Sequence, residues 1–411
     1  MPEAVQAERQ TRRYERKREA ILDAAARLFN QKGLKGATLS DVAQSVGLIT
    51  TSVTYYYRKK DDLAAACLLR TMAAFEALIV EAEAAPTPQA RLTRFLEIYF
   101  ALLAEIVEGA RPELINFYDV RALTGQHVQR VFDGYNALFR RIRQLFRSEG
   151  DAVFSRPEQN ARAHLVFSLI TWSRAWVRRY EPEDYPRAAR WMGDILIGGL
   201  AAGGSGWNPP PLADEALALP EGSGEAFLRA ATELVNEQGY HGASVEKISA
   251  RLSVTKGSFY HHNDTKHDLV ADCFERSFDV IRRAQRAAAA PPEETGWNRV
   301  TASADALVRH QLSQHGPLLR YTALAAVPET IRPELFATMQ RLSERFAGFV
   351  ADGIADGSMR AVDPMVAAQL VNGMINSAAE LRRWVPEASE ATASRLFAEP
   401  LFAGVWSPPV R

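Results

Sequence analysis

Apolar residues recur along this chain with a helical period wherever they recur at all. Ile21, Leu22, Ala25, Leu28 and Phe29 fall on one face of a helix that Gly33 stops. Thr38 with Asp41 three residues on predicts a capped start for a short second helix, whose Leu39, Val42, Ala43 and Val46 point inward before Gly47 turns the chain. Longer stripes follow at Leu92, Phe95, Leu96, Tyr99, Leu102, Leu103 and Ile106, and at Val128, Val131, Phe132, Tyr135, Leu138, Phe139, Ile142 and Phe146. Leu335, Met339, Leu342, Phe346, Phe349 and Val350 make a comparable face later on. No run alternates as a half-buried strand does, so the expected fold is all-α.

The pattern occurs twice. "AILDAAARLFNQKGLKGAT" at 20–38 lies over "AFLRAATELVNEQGYHGAS" at 226–244 without a gap, and Lys60, Leu63 and Cys67 lie over Lys266, Leu269 and Cys273 by the same offset of 206 (Gly33 to Gly239). Between 38 and 59 only Ser52 and Ser258 agree. The repeat continues downstream at an offset of 207 (Gly109 to Gly316, Pro157 to Pro364), so a whole half is duplicated. The Gly- and Pro-rich stretch between the halves reads as a linker of about 20 residues, able to span up to ~65 Å. The expected organisation is a basic arm (1–17), a first head (18–65), a first body (66–202), the linker (203–222), a second head (223–271) and a second body (272–411).

A helix, a tight turn and a second short helix rich in hydroxyl, aromatic and basic side chains is the layout of a helix-turn-helix, whose second helix enters the major groove. In "LITTSVTYYYRKKDDL" the candidate DNA contacts are Thr50, Thr51, Ser52, Thr54, Tyr55 and Tyr56, with Thr38 at the cap and Lys60 opening the following helix. In "VTKGSFYHHNDTKHDL" they are Thr255, Lys256, Gly257, Ser258, Tyr260, His261 and Lys266, with Ser244 at the cap. Arg9, Arg12, Arg13, Arg16, Lys17 and Arg18 precede the first head as a basic arm suited to phosphates, whereas acidic Glu221 and Glu225 precede the second.

The 411 residues are 47% hydrophobic, and 49 basic side chains balance 49 acidic ones, so local rather than net charge bears on nucleic acid. No secretory h-region opens the chain, and the longest apolar runs fall short of the ~20 residues of a membrane span, which leads us to expect a cytoplasmic protein without membrane contact. Cys67 and Cys273 form no disulfide or metal pattern and are expected in the core. His261, His262 and His267 point to different helix faces and make no metal site. No nucleophile elbow, P-loop, zinc-protease or dinucleotide motif is present, so neither an enzyme nor a cofactor is expected.

Over "ILDAAARLFNQKGLKGATLSDVAQSVGLITTSVTYYYRKKDDLAAA" and "FLRAATELVNEQGYHGASVEKISARLSVTKGSFYHHNDTKHDLVAD" the chain resembles the tetracycline-repressor (TetR) family of bacterial regulators. The resemblance implies a three-helix DNA-binding head on a helical body that binds an inducer and dimerises. Two such units in one chain imply a covalent, monomeric pseudo-dimer, with 158–180, 187–202, 364–384 and 388–403 forming its internal four-helix interface. Its operator is a double-stranded DNA with two non-identical half-sites about 34 Å apart. Lys256 can grip a guanine edge; Thr50, at the matched position, cannot. Against the family pattern, Thr54 stands where a tyrosine is usual, Ile49 where a capping hydroxyl is common, Ser253 in place of the turn glycine, and Asn263 and Asp264 where an aromatic and a basic residue are usual.

For a small apolar or amphipathic effector the candidates are Phe117, Tyr118, Arg121, Leu165, Leu169, Trp172 and Trp176 in the first body, and Tyr321, Asn372 and Asn376 in the second. The expected function is a ligand-relieved repressor. The alternative is a helical interaction scaffold in which one or both heads have lost DNA.

Overall fold

In the computed structural model the chain is described at residues 2–117, 120, 123–147, 154–219, 223–240, 242–251, 266–327 and 329–408. Among these residues there is no strand, and the one extended pairing is the isolated bridge Ala201–Met359. The first half runs α1 (Pro2–Gly36), α2 (Leu39–Ser45), α3 (Thr50–Tyr56), α4 (Lys60–Ala82), α5 (Pro88–Val107), α6 (Val128–Leu145), α7 (Arg156–Trp176) and α8 (Tyr185–Gly198). After α9 (Asp214–Leu217), the second half runs α10 (Ser223–Gln238), α11 (Val245–Arg251), α12 (Lys266–Ala289), α13 (Gly296–Leu312), α14 (Arg332–Ala355), α15 (Pro364–Ala378), α16 (Leu381–Trp384), α17 (Glu390–Ala393) and α18 (Glu399–Ala403).

Local chemistry explains the breaks. Gly33 (φ 71°) and Gly239 (φ 72°) hold matched left-handed positions at the ends of the two opening helices, where a side chain would be strained. Thr38 caps α2 reciprocally: its hydroxyl accepts from Asp41 N at 3.1 Å, while the Asp41 carboxylate accepts from Thr38 N at 2.8 Å. The Thr38 hydrogen bonds hold the Asp41 carboxyl below its usual range.

Each head is clasped to its body by the same contacts. Asn30 donates to Leu114 O at 2.8 Å and accepts from Asn116 N at 2.9 Å; Asn236 donates to Leu318 O at 2.9 Å and accepts from Arg320 N at 3.0 Å. Arg70 joins Glu19 at 3.2 Å to Glu113 O at 2.9 Å, as Arg276 joins Glu225 at 2.7 Å to Pro317 O at 3.1 Å. Thr71 and Ser277 hydroxyls accept from Ile115 N and Leu319 N. These bonds tie α1 and α4 of the first unit, and α10 and α12 of the second, to the connection in the body, so each head is fastened to its own body.

The halves meet through α7 and α8 against α15 and the segment 390–403, which includes a π turn at Ser394–Ala398. Phe139 stacks on Trp384 at 3.6 Å and 13°. Buried Arg162 donates to Val405 O and Ser407 O, each at 3.1 Å. Trp172 lies over Gly373, where a Cβ would come within 2.6 Å of the indole. That close approach needs a glycine.

Three expectations change. The arm is no separate segment, because α1 is helical from Pro2 onward, and the head–body divisions at 65/66 and 271/272 fall inside α4 and α12. The linker is packed rather than free: α9 contacts α12, Trp207 lies 4.9 Å from Phe402, and Trp297 Nε1 donates to Gly206 O at 3.3 Å. Finally, α4 is by length and composition apolar enough to cross a membrane, an 18-residue stretch of it averaging a hydropathy of 1.8. Its Leu63, Leu68, Phe75 and Ile79 are instead buried against neighbouring helices.

Candidate nucleic-acid interface and effector cavity

The first head presents α3 by packing Val53 and Tyr57 inward, so that Thr50, Thr51 and Tyr55 stand exposed while Ser52, Thr54 and Tyr56 are half-buried. Tyr55 is 76% exposed, an unusual position for a large ring on a packed head. Sequence reasoning passed over Tyr14. Its ring, carried by the extended α1, sits 4.7 Å from Tyr56 and 6.3 Å from Tyr55. Arg12, Arg13, Arg16 and Lys17 line a shallow groove on the same helix. Helix α3 and the basic stretch of α1 thus join through three tyrosines into one surface.

Three expected contacts are already engaged within the chain. The Thr38 hydroxyl donates to the Asp41 carboxylate at 2.7 Å as part of the cap, and Lys60 Nζ donates to Lys35 O at 2.9 Å. Burial lowers the Lys60 ammonium from its ordinary value. Thr54 Oγ1 donates back to Thr51 O at 3.0 Å.

In the second head, Thr255, Lys256, Gly257, Ser258, Tyr260 and His261 lie outside the described residues, as do Ser253, Asn263 and Asp264. Ser244 Oγ accepts from Lys247 N at 3.3 Å, and Lys266 Nζ lies 4.3 Å over the Tyr240 ring. Tyr240 OH in turn bonds His267 Nδ1.

Three of the effector candidates, from both bodies, meet at one place. Phe117, Trp172 and Asn376 border a single cavity of about 40 Å³ between the halves, together with Tyr135, His164 and Arg383, which sequence reasoning missed. Tyr321 meets Trp172 edge-on at 5.1 Å, and its N–H donates to Asn376 Oδ1 at 2.9 Å. Trp172 Nε1 is buried without a hydrogen-bond partner. Leu165 and Leu169 are buried, the latter facing Gly373. Trp176 packs on Phe100 at 6.0 Å, away from the cavity, and Asn372 donates to Ser343 Oγ at 2.8 Å within the second half. Tyr118 and Arg121 lie outside the described residues; the cations at the cavity are Arg320 and Arg383. Burial pushes the Cys67 and Cys273 thiols up to about 12, which removes thiolate chemistry at neutral pH.

The family profile described as bacterial regulatory proteins, tetR family, matches residues 21–67 and again residues 227–273. The Transposon Tn10 TetC protein of Escherichia coli is 35% identical over 57 residues, 14% of this chain and 29% of that protein. The HTH-type transcriptional repressor DhaR of Mycobacterium sp. (strain GP1) is 26% identical over 135 residues, 31% of this chain and 66% of its own length. The matches therefore span less than two thirds of either relative. Among solved structures, AibR in complex with isovaleryl coenzyme A and operator DNA is 20% identical with a TM-score of 0.36, covering 46% of this chain and 99% of that one.

Proposed function

We propose, from the premise that the chain belongs to the tetR family of bacterial regulatory proteins and carries that family's DNA-binding domain twice, that it is a DNA-binding transcriptional regulator acting in the cytoplasm as a ligand-relieved repressor. It works as a single-chain pseudo-dimer on an operator whose half-sites differ. The observation that carries this reading is the first head's surface, where exposed Thr50, Thr51 and Tyr55 adjoin Arg12, Arg13, Arg16 and Lys17 across the Tyr14 ring. Hydroxyls on a helix face reach base edges and phosphates, and guanidiniums beside them displace condensed counterions. Joining the halves covalently makes their association intramolecular, at an effective concentration of order mM.

Relief follows from the cavity between the halves. At about 40 Å³ it is far below the ~300 Å³ at which ligand sites begin, so an apolar effector must widen it. Widening separates α7 from α15, and the duplicated clasps carry that displacement to both heads. The unpartnered Trp172 Nε1 offers the effector a donor.

Footprinting on DNA flanking the gene tests the reading. Two protected segments of different sequence, about one helical turn apart, are expected, with log affinity falling steeply against log salt. Lys256→Ala relaxes base preference at one segment only. An absent footprint, or a salt slope near zero, leaves the scaffold reading in its place.

A further inference from the structure

We propose that the cleft where both heads meet both bodies is a binding site, one per chain, for a small anion bearing phosphate or carboxylate groups. The cleft encloses about 520 Å³, within the range of small-molecule sites, and adjoins the smaller cavity beside Trp172, with which it shares Thr171 and Arg320. It is bordered by the ends of α1 and α10, the clasp segments around Glu113 and Tyr321, the end of α7 and the start of α14.

Its lining carries a surplus of positive charge. Arg27, Lys35, Arg174, Arg178, Arg320 and Arg332 face it, against the carboxylates of Glu113 and Glu237. Counting also Asp23, paired with Arg27 at 2.6 Å, and Glu380, paired with Arg320, six cations still meet only four anions. Glu237 is in addition shared with Arg251 at 3.1 Å. A concave surface with such a surplus concentrates anions.

The second observation concerns Arg320, which is 7% exposed and borders both the cleft and the smaller cavity. Its terminal nitrogens reach Glu380 and Asn236 O, but its Nε has no hydrogen-bond partner. A buried guanidinium N–H left so is costly, and an acceptor entering from the cleft satisfies it. Arg178 is free to follow: its side chain is 64% exposed and touches Glu113 only at 3.4 Å. Lys35 lies at the head end of the cleft, where its charge adds to burial in lowering the Lys266 ammonium of the other head. An anion here joins a cation of the first head to cations of both bodies, and so fixes how the heads sit.

The test uses the full chain without DNA, so its failure is separable from failure of the regulator reading. Isothermal titration with inorganic pyrophosphate, and separately with succinate, is run at constant ionic strength on the wild type, Arg178→Gln, Lys35→Gln and, as a remote surface control, Arg94→Gln. Saturable binding near one equivalent is expected for at least one anion, identifying phosphate or carboxylate as the preferred group. Each cleft variant should bind about tenfold more weakly, the loss of one charge-assisted contact, while the control is unchanged. No saturable binding of either anion to the wild type, or equal affinity in the cleft variants, overturns the proposal.

Discussion

The two halves hang their heads from their bodies by matching bonds, yet fill those bodies with different side chains. At an offset of 207, Phe95, Leu96 and Tyr99 of α5 stand over Ala302, Ser303 and Ala306 of α13, and Tyr135 over Leu342. The first body is an aromatic cluster in which Phe75 lies 5.4 Å from Tyr99, 5.6 Å from Phe117 and 5.9 Å from Phe167. At these matched positions the second body carries small and aliphatic residues, and its rings, such as Phe346, Phe349 and Phe397, sit elsewhere in its core. What was kept is the mechanical joint; what diverged is the interior, and with it the surface each half offers the other. Trp172 stands over Ala379 in the repeat, and Gly373 over Val166. A homodimer of first halves would set Trp172 against a valine where it now meets a glycine, so the halves are complementary rather than interchangeable.

The most severe way to break that complementarity is at its largest side chain. Trp172→Ala should cost about 3–5 kcal/mol by leaving a cavity in the inter-half core, and Gly373→Val about 1–3 kcal/mol by overpacking against the indole. The double variant installs at each position the residue that its repeat counterpart carries, alanine as at 379 and valine as at 166, so its loss should be well below the sum. Urea unfolding of the four proteins gives the coupling energy. Strict additivity would mean that Trp172 and Gly373 do not constrain one another.

A slightly smaller effect per residue comes from pH, through one buried histidine in each half. His164 and His310 stand over Val371 and Leu103 in the repeat, and burial holds both imidazoles down to about 4. His164 Nε2 donates to Ser377 O at 3.0 Å, with Ser168 Oγ at Nδ1, so it is placed as the neutral ring. The unfolded chain takes up these protons near pH 6.5, the folded chain only near 4. Stability is therefore complete above 6.5 and is lost as pH falls toward 4, by about 3 kcal/mol for each histidine. His310→Leu and His164→Val, which install the residue of the other half, should flatten unfolding free energy over that window. A slope unchanged in the double variant would assign the acid loss elsewhere.

Much of the architecture was legible because it rests on local chemistry. The stripe at Leu92–Ile106, the Thr38–Asp41 cap and the glycine at 33 each act within a few residues, and each stands as the periodicity predicts. Trp172, Tyr321 and Asn376 were recognisable as candidates, but nothing local says that they face one another, since the tryptophan comes from one half and the other two from its sibling. Trp176, four residues on from Trp172, looked equivalent and turned instead toward Phe100. The arginines of the cleft were harder still: positions 27, 174, 178, 320 and 332 have no shared motif, and only the pairing of the halves brings them together. Sequence distance hides a site that symmetry assembles.

The smallest effect is the sharpest comparison of the two heads, because matched positions there have exchanged roles. In the first head Lys32 donates to Asp41 at 3.2 Å; in the second, at an offset of 206, Lys247 donates to Gln238. The bridge is kept with donor and acceptor reversed. The exchange removes the reciprocal half of the second cap, since Lys247 has no carboxylate to accept from the Ser244 N–H, and its ammonium turns to Gly242 O at 2.9 Å instead. Thr38→Ala should therefore cost about 1 kcal/mol and Ser244→Ala about half of that. Amide hydrogen exchange at Val42 and Ile248 reads the two heads separately, without requiring that the whole chain unfold in one step. The Thr38 penalty should also shrink in acid. Asp41 has its carboxyl pKa lowered in the folded head, so its contribution is present above the ordinary carboxylate range and lost as pH falls through the folded value, while Ser244, facing a lysine, gives no such dependence. Equal penalties with equal pH response would mean that the two heads are capped alike, and that the exchange at 41 and 247 is silent.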